Sequence, residues 1–255
     1  MEETPVTNEP KFKFPTEKIE LPSKGLVYPK EHPLSSGQVE LKYMTAKEED
    51  ILTSPNLIEK GIVLDKLLES IIVTEGVKLE DFVVGDKNTL LVSARILGYG
   101  KDYPITLGDE EVNVDLTSLK EIWIDEKNLV EPHKNEFKYT TPMSKSQIVF
   151  SILDGHMEKQ LEDLNKAYEK AGQSRELTNR YKLIIKSVDG KSERKDIDDF
   201  VDNKFMARDS MAFREYIKDV APDIDFTTNV KLSDGSEQEV TVPMTVRFFW
   251  PNAEV

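Results

Sequence analysis

The sequence contains no cysteine, and its 255 residues include only three histidines, His32, His133 and His156. Without cysteine the chain can form no disulfide, no thiolate-bound zinc or iron–sulfur site, and no Cys nucleophile. Three histidines that are far apart in sequence also disfavour most histidine-based catalysis and metal chemistry. We therefore expect a non-enzymatic protein of a reducing compartment, with no catalytic residues, no cofactor and no metal.

Basic residues and long apolar segments are also scarce. There are 34 Lys and Arg against 48 Asp and Glu, so the formal net charge is −14, whereas tight non-specific binding to nucleic acid depends on Lys and Arg. The longest apolar stretches, around residues 61–73 and 89–97, contain charged residues and fall short of the roughly 20 residues that a membrane-spanning helix needs. Residues 1–10 lack the basic start and apolar centre of a signal peptide. These features predict a soluble protein whose partners include no nucleic acid and no membrane.

Proline is concentrated at the start of the chain. Six prolines fall within residues 1–35: Pro5, Pro10, Pro15, Pro22, Pro29 and Pro33. Each lacks a backbone donor and favours an extended conformation in the residue before it. We therefore predict an extended Pro-rich arm over residues 1–35. Its apolar side chains would hold it against the rest of the chain: Leu21, Leu26, Val27 and Tyr28.

Residues 36–141 have the pattern of a helical lobe with a β-hairpin. Gln38–Met44 alternates in part and predicts a short strand. Thr45 and Glu48 have the spacing of a capping box, in which two side chains close the first turn of a helix. The remaining predictions for this lobe are a short helix before Gly61, a helix from Ile62, a helix that ends at Gly98, a hairpin around Gly108-Asp109, and a strand at Phe137–Thr140.

Residues 142–255 have the pattern of a second helical lobe. Apolar residues three or four apart predict one long helix over Ile148–Ala171, ended by Gly172. The pattern over Thr178–Val188 is too short to separate strand from helix, and we favour helix. Asp234-Gly235 suits a type I′ turn in a C-terminal hairpin. Two further helices are predicted, at Arg194–Val201 and Lys204–Val220.

Together these patterns predict an α+β fold that is predominantly helical, with two or more small antiparallel β-hairpins and the extended N-terminal arm. The arm and the two lobes are the predicted domains, and the lobes either fold separately or form one interleaved fold. The aromatic residues of Phe248-Phe249-Trp250-Pro251 need burial, and we favour burial in the chain's own fold over burial against a partner.

Acidic residues give no clear catalytic or metal-binding pattern. Asp189-Gly190 with Asp196, Asp198 and Asp199 lacks the ligand register of an EF-hand loop, so we interpret these acids as the solvated start of a helix. Asp196 and Asp199 are three residues apart on a predicted helix, which leaves an enzyme with a carboxylate site as a minor alternative.

Several motifs follow one another in an order that is similar to one known family. They are Leu21-Pro22-Ser23-Lys24-Gly25 with Tyr28-Pro29, Tyr43–Leu52, Asn56-Leu57, Leu64–Leu68, Val84–Lys87, Ala94–Ile96 with Tyr99-Gly100, Ser187–Gly190, Phe200–Asn203, Ala207–Ser210 and Phe248–Pro251. With this ordered set the chain resembles the T4-like myovirus baseplate proteins over most of residues 20–251. The resemblance implies a phage tail protein of the baseplate hub assembly group. It also implies relatives with Cys pairs that bind zinc at the two hairpins, a role excluded here because Leu107-Gly108-Asp109 and Leu232-Ser233-Asp234-Gly235 occupy those positions.

The function that the resemblance implies is that of a non-enzymatic, chaperone-like factor. Such a factor would bind baseplate hub or tail-tip proteins and cover aggregation-prone edges or apolar patches until the central hub is assembled. The acidic charge would keep it soluble and steer it toward basic partner surfaces. It would act in the host cell cytoplasm. The alternative is a permanent structural component of the virion tail baseplate, although obligate interfaces tend to be large and apolar. The oligomeric state stays open.

Ten residues from these motifs are our predicted partner contacts, and each could instead serve in the core or in a helix cap. They are Leu21, Pro22, Lys24, Gly25, Tyr28, Tyr43, Lys47, Glu48, Arg208 and Asp209.

Overall fold

The computed structural model of the chain describes residues 15–170 and 172–249. The N-terminal strand β1 (Thr16–Glu20) pairs antiparallel with β2 (Gln38–Lys42), with Thr16 opposite Lys42. Residues 1–14 of the predicted arm lie outside the described residues. The rest of the arm begins extended, as β1, and then folds into successive turns between the two strands. Of the four side chains predicted to hold the arm against the rest of the chain, Leu21, Val27 and Tyr28 are buried and Leu26 is half-buried.

A capping box starts the helices of the first half, as predicted. Thr45 is the N-cap of the first helix, and the Glu48 carboxylate accepts a hydrogen bond from the Thr45 backbone N–H. The last of these helices does not stop at Gly98, as the sequence predicted, but continues to Tyr99 because Gly100 supplies the positive φ of +84° that ends it. The four helices are α1 (Ala46–Leu52), α2 (Pro55–Glu59), α3 (Val63–Ile71) and α4 (Val84–Tyr99).

Both predicted hairpins are present. The first joins β3 (Asp102–Leu107) and β4 (Glu110–Asp115) through the two-residue turn Gly108-Asp109. The short strand β5 (Lys120–Ile122) follows it. The tip of the second hairpin packs near the first, because Glu110 accepts hydrogen bonds from the backbone N–H and the hydroxyl of Ser233 at 2.7 and 3.1 Å. Side-chain packing and this contact support the hairpins.

The predicted helix over Ile148–Ala171 is wrong for its first residues. Those residues form β7 (Gln147–Phe150), the central strand of a three-stranded antiparallel sheet with β6 (Phe137–Thr140) and β8 (Ile185–Val188). The helix α5 begins only at Gly155 and runs to Lys170. Asp154 accepts a hydrogen bond from the Met157 backbone N–H at 2.8 Å, which caps the true start of the helix.

Three further helices surround this sheet. The ambiguous segment Thr178–Val188 contains both structures, since α6 passes directly into β8. A π-helical turn at Phe200–Lys204 separates the last two helices and buries Phe200. The helices are α6 (Glu176–Ile184), α7 (Arg194–Asp199) and α8 (Ala207–Val220).

The end of the chain returns to the first half. After α8, β9 (Asp223–Asp225) pairs antiparallel with β5, and then β10 (Thr227–Lys231) and β11 (Glu237–Thr241) form the C-terminal hairpin. Within its loop Gly235 has positive φ and Asp234 does not, so the predicted type I′ turn is wrong. The last described helix is α9 (Val246–Phe249).

One continuous hydrophobic cluster joins the two halves, from Leu21 to Phe249. Backbone hydrogen bonds also cross between the halves, from Val84 to Leu153 and from Gly155 to Phe82, both at 3.1 Å. Phe248 and Phe249 are buried in the chain's own core, as favoured for their cluster, and the Phe248 ring lies 5.5 Å from that of Tyr103. Trp250 and Pro251 of the same cluster lie outside the described residues. The described residues form an α+β fold of helices and small antiparallel sheets, as predicted.

Candidate partner-binding site

A buried carboxylate organises the turn that carries the first motif. Asp86, near the start of α4, is 0% exposed. It accepts hydrogen bonds from the Ser23 backbone N–H at 3.0 Å, the Ser23 hydroxyl at 2.6 Å and the Tyr28 hydroxyl at 2.5 Å. The Tyr28 oxygen in turn accepts from the Val83 backbone N–H at 3.1 Å. These bonds attach the turn between β1 and β2 to the first turn of α4.

Burial controls the charge of this cluster. It raises the pKa of Asp86 to about 6, although the hydrogen bonds from Ser23 and Tyr28 act in the opposite direction. Burial, together with the nearby Asp86 carboxylate, raises the pKa of Tyr28 well above its usual value. All of the donors to Asp86 are uncharged groups, which explains why burial outweighs them.

The same turn holds one exposed cation over an exposed aromatic ring. Lys24 has a φ of +50°, a conformation that few L-residues adopt, and its Nζ lies 5.6 Å from the ring centroid of Trp123. Trp123 is 38% exposed. The next residue must be glycine, because a Cβ on Gly25 would stand 2.4 Å from the Ser35 carbonyl oxygen. We call Lys24 and Trp123 the Lys–Trp surface.

A second buried carboxylate closes the start of α1. Glu48 is 0% exposed and accepts hydrogen bonds from Lys42 Nζ at 2.9 Å, from the Thr45 hydroxyl at 2.7 Å and from the Ser70 hydroxyl at 2.6 Å. Burial by itself would raise the pKa of Glu48, but the hydrogen bonds from Ser70, Thr45 and Lys42 lower it to about 2. On the same segment Lys47 is exposed and Tyr43 is half-buried.

A third buried carboxylate, Asp209, lies in the first turn of α8. It accepts hydrogen bonds from the backbone N–H groups of Met143 at 2.7 Å and of Ser144 at 3.0 Å. Burial acts to raise the pKa of Asp209, but these hydrogen bonds lower it below its usual value. Asp209 therefore fixes the β6–β7 loop on the start of α8, and the adjacent Arg208 is exposed.

The ten predicted contact residues therefore differ in their exposure. Three of them present exposed side chains, Lys24, Lys47 and Arg208, and Tyr43 is half-buried. The other six are buried within the chain and support its fold: Leu21, Pro22, Gly25, Tyr28, Glu48 and Asp209. The three carboxylate clusters use different elements, and no hydrogen bond between described residues joins one cluster to another. The motifs thus contribute to three separate hydrogen-bonded clusters that stabilise the fold, and they do not come together in one site.

Sequence reasoning missed Trp123, although a signal for it was present. Ile122 and Ile124 alternate with it, and alternation along an extended segment places Trp123 on the opposite face from both. Ile124 is buried, and its backbone N–H donates to the Pro22 carbonyl at 3.0 Å. That bond brings Trp123 beside the Lys24 turn, a long-range contact that local pattern does not reveal.

Asp199, one of the acidic residues considered for catalysis or metal binding, has other partners. Asp199 accepts from Lys204 Nζ at 2.5 Å and from Asn203 at 2.9 Å, and these bonds lower its pKa, whereas a general acid needs a raised pKa. Among the described residues, no group of three His, Cys, Asp or Glu side chains could hold a metal ion. None of the helices described here has the length and apolar character needed to cross a membrane.

Comparisons with protein families, with curated proteins and with solved structures found no match to this chain. Its function is therefore inferred from its own residues and geometry.

Proposed function

We propose that this chain is a non-enzymatic, protein-binding factor that promotes assembly of a phage baseplate hub. The observation that carries the proposal is the Lys–Trp surface, an exposed tryptophan and lysine held in place by buried hydrogen bonds. The motif around Lys24, which resembles the baseplate proteins, belongs to the turn that forms this surface.

The Lys–Trp surface has the properties of a binding hot spot. Tryptophan is among the residues that dominate protein–protein binding energies, and a rigid surface loses little conformational entropy on binding. The turn is rigid because the buried Asp86 fixes Ser23 on one side of Lys24 and Tyr28 on the other. The net charge of −14 would keep the free factor soluble and favour partners with basic surfaces around the contact.

Co-purification with hub and tail-tip proteins tests this proposal. Lys24→Glu and Trp123→Ala should each reduce the amount of hub protein that co-purifies with the chain, and should lower the yield of assembled hubs. Lys186→Glu is the matched control for Lys24→Glu, since Lys186 is also exposed but lies on β8. Normal hub yield after deletion of the gene would refute the proposal.

The alternative role, a permanent component of the virion baseplate, predicts a different distribution of the protein. A transient factor acts in the host cytoplasm and is absent from finished particles, whereas a structural component is present in them at a fixed stoichiometry. Quantitative mass spectrometry of purified virions separates the two roles.

A further inference from the structure

A groove of about 750 Å³ opens where the two halves of the chain meet, between the β5–β9 pair, α6 and α8. Its volume falls within the range of pockets that bind small molecules or short peptide segments. Apolar side chains from both halves form its walls, among them Ile122, Ile152, Ile217 and Phe226. We propose that this groove binds an acidic, apolar segment of a partner protein.

Four cations line the groove, in a chain with a large excess of acid. They come from different elements: Lys120 from β5, Arg180 from α6, and Arg214 and Lys218 from α8. Among the described residues, no carboxylate oxygen lies within 4.0 Å of the charged nitrogens of Lys120, Arg180 or Arg214. Lys218 reaches only the exposed Glu215, at 3.9 Å. With the three carboxylates that also line it, the groove carries four cations against three acids, a small excess of positive charge in a chain whose net charge is −14.

Arg214 is held in position by uncharged partners. Its Nη1 donates to the Tyr181 hydroxyl at 2.8 Å and to the Ser210 hydroxyl at 3.0 Å. Tyr181 is buried, and Arg214 is half-buried. A fixed, partly desolvated guanidinium without a carboxylate of its own is well suited to bind the carboxylate of a ligand.

The carboxylates of Asp219, Asp223 and Asp225 also line the groove, but none of them lies within 4.0 Å of the charged nitrogens of Lys120, Arg180 or Arg214. Asp223 accepts from Asn88 at 3.0 Å and Asp225 from the Thr227 backbone N–H at 2.9 Å, so both are engaged within the chain, and Asp219 is exposed. Arg180 also borders a shallower groove on α5 that carries acidic side chains, namely Glu158, Glu162 and Glu169. Arg180 therefore lies at the boundary between the two grooves.

A protein segment fits the groove better than a nucleic acid does. The apolar walls favour side chains over phosphates, and the overall charge of −14 opposes a polyanion. That the bound segment belongs to a hub protein rests on the function proposed above, whereas binding of a defined peptide tests the groove alone.

The experiment measures fluorescence anisotropy of the full chain with a labelled decapeptide of alternating aspartate and leucine. Two analogues replace its aspartates by lysine or its leucines by serine, and a single-stranded DNA oligonucleotide is the fourth probe. Saturable binding of the Asp/Leu peptide, stronger than that of the other three probes, is the expected result.

Arg180→Glu and Lys218→Glu should weaken binding of the Asp/Leu peptide about tenfold each. Lys186→Glu, which changes the net charge equally but lies outside the groove, should leave it unchanged. Thermal melting confirms that each variant is folded. Equal losses in all three variants, equal binding of the Lys/Leu analogue, preference for the oligonucleotide, or no saturable binding would each overturn the proposal. Such a result would leave the co-purification tests at the Lys–Trp surface unaffected.

Discussion

Asp86 and Glu48 are both fully buried, yet their pKa values lie on opposite sides of the usual range of a carboxyl group, at about 6 and about 2. The donors explain the difference. Asp86 receives hydrogen bonds from two hydroxyls and a backbone N–H, whereas Glu48 also receives one from the ammonium group of Lys42. Burial outweighs the donors at Asp86, whereas at Glu48 the hydrogen bonds from Ser70, Thr45 and Lys42 together outweigh burial. The two residues should therefore contribute opposite dependences of stability on pH.

Glu48→Gln should lower the free energy of unfolding by about 2 kcal/mol at pH 7, because an amide cannot replace the charge-assisted hydrogen bonds of Glu48. The folded-state pKa is depressed, so the contribution of Glu48 is complete above its unfolded pKa, near 4.5, and is lost as pH falls toward about 2. The difference in unfolding free energy between the native protein and the variant, measured by urea denaturation, should therefore shrink as pH falls through that interval. A constant deficit from pH 6 to pH 2.5 would contradict this ionisation behaviour.

Asp86→Asn should show the opposite trend. The folded-state pKa is raised, so the folded chain binds more protons than the unfolded chain between about pH 4 and pH 6. The contribution of Asp86 is therefore complete at low pH and declines as pH rises through this interval. The unfolding free energy of the native protein, minus that of the Asn variant, should therefore fall by about 2–3 kcal/mol from pH 4 to pH 7. An advantage that grows with pH would instead mean that Asp86 is stabilised as the anion.

At the scale of secondary-structure elements, α4 contains two glycines, one in its first turn and one in its last, with different surroundings. A Cβ on Gly85 would stand 1.8 Å from the Pro222 backbone carbonyl oxygen, whereas one on Gly98 would meet the flexible end of Met44. Gly85→Ala should therefore push α4 away from β9 and lower the unfolding free energy by about 2–3 kcal/mol. Gly98→Ala should change it by less than about 1 kcal/mol, since the gain in helix propensity offsets the shift of Met44. Equal effects in chemical denaturation would show that the contact with Pro222 does not constrain α4.

The sequence is sufficient to predict those elements that depend only on residues close to one another in the chain. The Thr45 capping box and the Gly108-Asp109 hairpin each depend on a few adjacent residues, and so does the end of α4, which lies one residue beyond the predicted stop at Gly98. The strand β7 was assigned to a helix because Val149 and Leu153 continue the apolar spacing of α5 across the boundary. Its pairing with β6 and β8 is not visible in the local sequence. The local sign that the helix begins later is Asp154-Gly155, where Asp154 suits an N-cap.

At the scale of the whole molecule, the candidate site shows the same limit of sequence reasoning. The motifs include the turn that carries the Lys–Trp surface, but they could not separate Lys24, which is exposed, from Tyr28, which is buried. That distinction depends on Asp86, far along the chain and brought to the turn by tertiary packing. The exposed Trp123 and the groove between the halves are likewise assembled from distant segments.

The way in which the halves interlock predicts that neither folds alone. Strand β5 of the first half pairs with β9 of the second. The backbone of Val84 bonds to Leu153, and the buried Arg95 guanidinium donates to the Phe248 carbonyl at 3.1 Å. Cutting the chain after Thr141 would expose the apolar surfaces between the halves. It would also remove one hydrogen-bond acceptor of the Arg95 guanidinium and the partners of these backbone groups.

Fragments 1–141 and 142–255, expressed separately, should therefore show no cooperative thermal transition by circular dichroism, whereas the intact chain should unfold in a single step. Mixing or co-expressing the fragments should restore the transition, because the contacts between the halves then form between two molecules but are otherwise unchanged.

Arg95→Gln in the intact chain should lower the temperature of that one transition without dividing it in two, since Arg95 connects α4 to α9 inside a shared core. A fragment that melts cooperatively by itself, or a variant with two separate transitions, would show instead that the halves are independent folding units.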